Sequence, residues 1–175
     1  MNQQISSSQK PKFTFFGAAM FLRPKNPEKR IYEQAEDISL CISLAQKNPE
    51  NWECLFMKRN YLDFCWDHIG GHNEVNEFPA QTMLREVQEE VGWKIKSYKE
   101  VCRQWKKGFL NGFIYACVPE EKLFMLDTPP RVPCQEVQTV QYFNLIHILK
   151  SPDFKPNVKG RIQSLISNES DFSLQ

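Results

Sequence analysis

A single mixed α/β domain is predicted by the sequence, on the basis of three observations. The chain has 175 residues, of which 41% are apolar, which is enough for one substantial core. Short strand-like runs alternate with a few segments of helical periodicity. The sequence has no internal repeat, and its biased composition is confined to the polar ends. Strands interleaved with helices are typical of this fold class.

The first half of the chain is predicted to contain three strands and one helix. In order, these are a strand at 13–22, a helix at about 26–48, and strands at 52–58 and 61–69. The first run is almost continuously apolar, which indicates a strand covered on both faces. Asn26 followed by proline is typical of a helix start, and apolar residues then recur three and four positions apart. The two later runs have strand composition and are separated by a turn at Arg59-Asn60.

The second half is predicted to contain a long helix, a strand pair, a further strand and two short helical segments. In order, these are a helix at 79–91, strands at 93–106, 109–118 and 137–143, and helical segments at 145–149 and about 157–166. Pro79 suits the first turn of a helix, and Gly92 suits its end. Lys107-Gly108 is expected to connect the paired strands as a hairpin.

Both ends of the chain are polar. We therefore expect a disordered tail at residues 1–10, one domain at 11–168 and a second tail at 169–175. Nothing in the sequence approaches the roughly 20 consecutive apolar residues that span a bilayer. The start also has no apolar segment of the secretory kind. A soluble protein of the cytoplasm, without a membrane partner, is predicted.

Charge and cysteine content limit the classes of partner. The 22 lysine and arginine residues nearly balance the 21 acidic residues, so a basic surface for an extended nucleic acid is not expected. The six cysteines are spread singly, without the close pairs of a zinc or thioredoxin-type site. We interpret them as reduced core residues.

Three glutamates share one face of the helix predicted at 79–91. Successive side chains turn by about 100°, so Glu86, Glu89 and Glu90 fall within one arc, separate from an apolar arc. Like charges at this spacing repel, so a positive charge should lie among them. Arg85 can reach Glu89, but one guanidinium does not neutralise three acids. Mg²⁺ or Mn²⁺ takes oxygen ligands from such a cluster. The alternative is a solvated acidic helix face.

The residues that flank these glutamates favour the functional interpretation. The positions concerned are Gly71, Glu77, Arg85, Glu86, Val87, Glu89, Glu90, Gly92 and Trp93. In type and spacing they match every fixed position of the Nudix box. The chain therefore resembles the Nudix hydrolase family. This resemblance implies an α/β/α sandwich with a mixed central sheet, in which the helix at about 26–48 is an insertion between the first two strands.

The resemblance also implies roles for individual residues. Glu86, Glu89 and Glu90 stand where the family holds its divalent ions. Arg85 and Glu77 stand where a salt-bridging pair orients those glutamates. The implied activity is cleavage of a diphosphate linkage in a nucleotide-type small molecule, by attack of water on phosphorus with Mg²⁺ or Mn²⁺ as cofactor.

Residues outside the helix complete the implied site. Gly70-Gly71 corresponds to the tight loop that lets the backbone approach metal and phosphate. Family members often have a glutamate before a late strand, which makes Glu136 a candidate general base beside the clustered acids. Lys58 and Arg59 end a strand where relatives present a basic residue to phosphate, and a planar guanidinium favours Arg59. The rivals for the base are Glu120, Glu121 and Asp127.

Two other activities are considered. A nucleotide-sensing module of this fold usually loses the metal glutamates, and all three are present here. An isomerase of the isopentenyl diphosphate type needs a cysteine and a glutamate that face an allylic diphosphate, and Cys65 is near the appropriate region. The sequence does not identify the diphosphate substrate. Dimers are common among relatives, so the resemblance leaves a homodimer open.

Overall fold

Two β-sheets with helices on both sides form the part of the chain described by the computed structural model, which covers residues 13–30, 36–60 and 65–175. The strands in this part are β1 (Phe16–Met20), β2 (Leu22–Pro24), β3 (Trp52–Arg59), β4 (Trp66–Asp67), β5 (Ile69–His72), β6 (Ile95–Lys106), β7 (Phe109–Pro119), β8 (Val137–Asn144) and β9 (Asp171–Leu174). The α-helices are α1 (Ile38–Lys47), α2 (Pro79–Glu90), α3 (Leu145–Lys150) and α4 (Pro156–Ser167). The tail predicted at 1–10 lies outside the described residues.

The larger sheet is mixed, as predicted. Its strand order is β5-β1-β7-β6-β9, in which β1 runs parallel to β7 and β9 runs parallel to β6. The other two pairings are antiparallel. The smaller sheet is antiparallel, with β3 paired to β2, β4 and β8. Both sheets have hydrophobic side chains packed on each face.

Alternation along the central strands divides these side chains between two cores. Ala18 and Met20 of β1 contribute to the core that includes residues of α1, α3 and α4. Ala19, between them, faces the core that includes Met83 and Val87 of α2. Because successive strand residues point to opposite faces, each sheet is covered on both sides. The predicted mixed α/β sandwich is confirmed.

The first predicted strand, at 13–22, is wrong in one respect. The chain leaves the larger sheet after Met20 and enters the smaller sheet at Leu22. Phe21 lies at this crossing, and its carbonyl oxygen accepts a hydrogen bond from the Leu55 N–H of β3 at 3.1 Å. A continuous apolar run therefore forms two strands, because both sheets are buried at this point.

The helix predicted at about 26–48 is also not continuous. Asn26 caps a 3-10 turn at Pro27–Lys29, and α1 begins only at Ile38. Asp37 has an extended backbone, and its side chain accepts from the Leu40 N–H at 3.1 Å. An aspartate that caps a helix in this way starts a new helix. Residues 31–35 lie outside the described part of the chain.

The tail predicted at 169–175 is wrong, because these residues include β9. The strand pairs with β6 from Asp171 to Leu174, and the Trp105 Nε1 donates to Asp171 Oδ1 at 2.9 Å. Phe172 packs against the core beside α4. A strand of four residues with alternating burial carries too little apolar composition to be distinguished from a tail.

The predicted acidic helix and the predicted hairpin are confirmed. The helix predicted at 79–91 is α2, and the hairpin turn is Lys107-Gly108, where both residues have positive φ, as a type I′ turn requires. All six cysteines are free thiols, and four of them are buried. None of the described helices is long and apolar enough to cross a membrane.

Candidate active site

A cavity of about 860 Å³ opens on the larger sheet beside α2. Residues from each of its five strands line the cavity, among them Gly71 of β5, Phe16 of β1 and Gln104 of β6. Glu86 and Glu90 of α2 line it as well. The cavity therefore joins the acidic face of the helix to the surface of the sheet.

Local sequence explains how α2 presents these acids. Proline at the first helical position fixes the start, and Gln81 Oε1 accepts from the Phe78 N–H at 2.9 Å, where the cap residue has no polar side chain. Met83 and Val87 are fully buried against the sheet. Burial of this apolar stripe turns the opposite, acidic stripe towards the cavity.

Glu90 is the most buried of the three clustered acids, with 2% of its surface exposed. Its Oε1 lies 3.2 Å from Arg59 Nη1, and its Oε2 accepts from the Gly70 N–H at 3.2 Å. Burial raises the pKa of Glu90 to about 8, and the nearby Arg59 opposes this increase. The carboxyl is therefore held in place by a cation and a backbone donor, yet its charged form is costly.

Glu86 lies directly against the backbone of β5. A Cβ atom on Gly71 would overlap the Glu86 carboxylate, so glycine at this position leaves the space that the carboxylate occupies. Burial raises the pKa of Glu86, while its contact with Arg85 lowers it. Arg85 Nη1 is 3.0 Å from Glu86 Oε1.

Arg85 connects the loop before α2 to the acidic face of the helix. Its Nε is 2.6 Å from Glu77 Oε1, and its Nη2 donates to the His72 carbonyl oxygen at 2.9 Å. Nη1 also reaches Glu89 Oε2 at 3.1 Å. The hydrogen bond from Arg85 is the main reason why the pKa of Glu77 falls to about 2. One guanidinium thus orients three carboxylates.

Comparison with known protein families gives a match over most of the chain. A family model, described as the NUDIX domain, matches residues 39–160. The chain belongs to the Nudix family. Membership of the Nudix family, predicted from the box, is therefore confirmed. No curated protein sequence matches the chain significantly.

Solved structures share the fold at low sequence identity. A NUDIX hydrolase from Nitrosomonas europaea has a TM-score of 0.60 and 16% identity, with 93% of each chain covered. A MutT structure, from a study of the Aliivibrio salmonicida and Vibrio cholerae proteins, has a TM-score of 0.58 and 13% identity, covering 88% of this chain and 97% of that chain. An ADP-ribose pyrophosphatase from Streptococcus suis has a TM-score of 0.54 and 14% identity, covering 89% and 90%.

The structure brings most of the Nudix residues predicted from the sequence to one place. Gly70, Gly71, Arg59, Arg85, Glu86, Glu90 and Glu136 all line the cavity. Glu89 is 57% exposed and contacts Arg85 at the rim of this group. Lys58 precedes Arg59 on β3 and lies outside the cavity lining. Of the two candidates at the end of this strand, Arg59 is therefore the one that lines the cavity.

The candidates for a general base are separated by position. Glu136 lines the cavity beside α2, and its Oε2 is 3.7 Å from Arg59 Nη1. Glu120 and Glu121 line a different cavity, beside Trp93. Asp127 is held by Arg30 at 3.1 Å. Of these four acids, Glu136 is the one that the structure brings to the clustered glutamates.

The donor set beside α2 suits a hard divalent cation. Mg²⁺ and Mn²⁺ prefer oxygen ligands, and the space at Gly71 accommodates the Glu86 carboxylate close to the backbone. Across residues 13–30, 36–60 and 65–175, no three acidic, histidine or cysteine side chains are already grouped around one point. Arg85 and Arg59 instead hold Glu86 and Glu90. The repulsion among the acids is thus relieved by two guanidinium groups.

Sequence reasoning missed a buried polar group on the α4 side of the cavity. Arg161 lies between Val158 and Leu165 on the apolar stripe of α4 and is 3% exposed. It contacts Asp67 and His68, and all three line the cavity. An arginine at a core position of an otherwise apolar helical stripe is a signal that could have identified it.

Proposed function

We propose that this Nudix protein is a metal-dependent hydrolase that cleaves a diphosphate linkage in a nucleoside diphosphate derivative by attack of water on phosphorus. One observation carries the proposal. Glu86 and Glu90, one helical turn apart, line the same cavity as Arg59 and the Gly70-Gly71 backbone. Acids that can hold a cation therefore lie beside groups that can contact phosphate oxygens.

Glu86, Glu89 and Glu90 are the residues that would hold Mg²⁺ or Mn²⁺. When bound, such an ion neutralises phosphate charge and lowers the pKa of a coordinated water molecule. The proposal is supported by the two carboxylates whose pKa values are raised by burial, because a cation would stabilise their charged forms.

Arg85 and Glu77 act as positioning residues in this proposal. Arg85 contacts both Glu86 and Glu89 through one nitrogen, while its Nε is anchored to Glu77 at 2.6 Å. A guanidinium fixed at one end restricts the rotamers of the acids at the other end. Restricted rotamers lower the entropic cost of assembling a catalytic arrangement.

Arg59 and Glu136 are proposed to act on the substrate and on the attacking water. Arg59 donates through Nη2 to the Gly70 carbonyl oxygen at 3.0 Å, which fixes its planar group beside the cavity. A guanidinium held at this position can contact a phosphate oxygen of the substrate. Glu136 is 62% exposed and lines the cavity, which supports it as the acceptor of the water proton.

The substrate class follows from the charge of the cavity and from its neighbours in fold. Four basic residues, Arg59, Lys106, Lys155 and Arg161, line the cavity in addition to Arg85. The same lining also contains five acids, Asp67, Glu74, Glu86, Glu90 and Glu136. The basic residues can therefore contact an anionic substrate larger than a single phosphate while the clustered acids hold a cation. One structural neighbour is an ADP-ribose pyrophosphatase. We therefore propose a nucleoside diphosphate derivative as the substrate.

The test is a hydrolysis screen of the purified protein with Mg²⁺ or Mn²⁺ in ¹⁸O-labelled water. The panel contains ADP-ribose, NADH, diadenosine tetraphosphate, a nucleoside triphosphate and isopentenyl diphosphate. We expect nucleoside monophosphate or phosphate that carries the label, and loss of this product in Glu86→Gln and in EDTA. Binding of nucleotides without turnover would instead support a sensing module, and rearrangement of isopentenyl diphosphate would support an isomerase.

A further inference from the structure

The cavity has a second polar group, on the side formed by α4, β4 and β6. Its members are Asp67, His68, Gln104, Lys106, Lys155 and Arg161, all of which line the cavity. None of them belongs to the Nudix box. Three of the six carry a fixed positive charge and one carries a negative charge, so this side is cationic.

Arg161 is the centre of this group. Although 3% exposed, it donates through Nη1 to Asp67 Oδ1 at 3.1 Å and through Nε to Gln104 Oε1 at 3.3 Å. Its guanidinium also lies 4.7 Å from the centre of the Phe16 ring, which forms part of the cavity floor. A buried arginine is costly, and Asp67 is the acid that contacts it.

His68 adds an oriented donor beside Arg161. Arg161 Nη1 lies 3.3 Å from His68 Nδ1, and an arginine can only donate, so Nδ1 is the acceptor and the proton is on Nε2. That Nε2 is buried and has no hydrogen-bond partner among the described residues. Buried donors are rarely left unpaired in proteins, and an unsatisfied one can mark a bound ion, a bound water molecule or a catalytic role.

Two amide side chains, those of Gln104 and Asn111, add hydrogen-bonding groups to this side of the cavity. Gln104 Oε1 faces Arg161, so its Nε2 is the group that donates to Asn111 Oδ1 at 3.3 Å. The Asn111 oxygen is thereby used, and its amide N–H groups are the remaining polar atoms of a side chain that lines the cavity. Donors therefore predominate on this side of the cavity.

We propose that Arg161, His68 and Lys106 form an anion subsite that binds a phosphate or carboxylate of the substrate outside the scissile diphosphate. Such a group offers mainly acceptor atoms, which match the donors on this side of the cavity. The start of α4, where the cap residue Lys155 and Asn157 of the first turn line the cavity, adds the positive end of a helix dipole. The proposal rests on the proposed function for the identity of the ligand as a substrate.

Binding in the absence of metal tests this subsite separately from hydrolysis. Calorimetry in EDTA compares adenosine 2′,5′-bisphosphate with AMP, and UDP-glucuronate with UDP-glucose. Within each pair, the first ligand carries one additional anionic group. In one of the two pairs, we expect the ligand with the additional anionic group to bind at least about tenfold more tightly. A preference in the first pair indicates a phosphate subsite, and a preference in the second indicates a carboxylate subsite. Equal affinities within both pairs overturn the proposal, whatever the hydrolysis screen gives.

Substitutions in the subsite test whether it causes the preference for the ligand with the additional anionic group. We expect Arg161→Met and Lys106→Met to bring the affinity ratio of the responding pair close to one, with Arg161→Lys retaining part of it. Lys99→Met is the matched control, because Lys99 is also an exposed lysine of β6 but lies outside the cavity lining. A purely structural role for Arg161 would weaken both ligands equally. If Arg161→Met does not fold, Lys106→Met decides, and an unchanged ratio in that variant overturns the proposal.

Discussion

Arg85 donates through Nε to the carboxylate of Glu77 at 2.6 Å, so a residue in the loop before α2 is tied to the acidic face of the helix. Glu77 also accepts from the Thr82 hydroxyl at 2.9 Å and from the Glu74 N–H at 2.8 Å. These donors together fix the loop, the helix start and the guanidinium that contacts Glu86. Loss of the Glu77 charge should therefore affect both stability and the arrangement of the acids.

We expect Glu77→Gln to lower the free energy of unfolding by about 1.5–3 kcal/mol at neutral pH, the usual contribution of hydrogen bonds to a charged group. The pKa of Glu77 is lowered in the folded protein from 4.5 to about 2. The stabilisation is therefore present above about pH 4.5 and is lost as pH falls towards about 2. Urea unfolding at several pH values should show the two proteins converge in acid. A difference that stays constant with pH contradicts this role.

Glu89→Gln should lower turnover by two or more orders of magnitude while the protein stays folded, since it removes a charge proposed to face the metal. Glu89 is 57% exposed, so its substitution leaves no buried polar atom unpaired. Steady-state kinetics and thermal melting together check this expectation. Glu121→Gln, an exposed acid outside the active-site cavity, is the matched control. A rate close to wild type in Glu89→Gln would remove Glu89 from the metal site.

Gly71→Ala should reduce kcat/KM by at least about tenfold, because small displacements of catalytic groups have large effects on rate. A Cβ atom at this position would overlap the Glu86 carboxylate, which must then move away from β5. The expected signature is a higher concentration of Mg²⁺ required for half-maximal activity. Unchanged metal dependence in a folded Gly71→Ala protein would show that the position of Glu86 does not matter.

The raised pKa of Glu90 predicts that metal binding becomes stronger as pH increases. Its pKa of about 8 is above the ordinary value, so the stability it contributes without metal is present in acid and is lost as pH rises through about 8. An ion needs the ionised carboxylate and must displace its proton. We expect Mg²⁺ to raise Tm more at about pH 9 than at about pH 6. In Glu90→Gln this difference between the two pH values should disappear, and its persistence would assign the effect to another group.

Features that depend on local sequence were predictable. The acidic face of α2 follows from the spacing of Glu86, Glu89 and Glu90 on one helix, and the hairpin follows from Lys107-Gly108. In both cases the determining residues are neighbours in the chain. Residue type and helical geometry are then sufficient to fix which side chains share a face.

Features that depend on distant partners were not predictable. The chain leaves the larger sheet at Phe21, whose carbonyl oxygen accepts a hydrogen bond from the distant Leu55 N–H. Residues 171–174 form a strand by pairing with β6 at the edge of the larger sheet. The same holds for the site. Arg161 meets His68 across 93 positions of sequence, and a single apolar-stripe arginine does not reveal what it will contact.

Glu86 and Glu90, with Glu89, are proposed to hold a divalent ion beside the cavity. Anomalous diffraction from crystals of the protein soaked in MnCl₂ tests it most directly. We expect a manganese peak within bonding distance of the Glu86 and Glu90 carboxylates, at about 2.0–2.3 Å, with its loss in Glu86→Gln. Absence of a peak there at saturating manganese, with the two acids still bound to Arg85 and Arg59, would contradict this metal site.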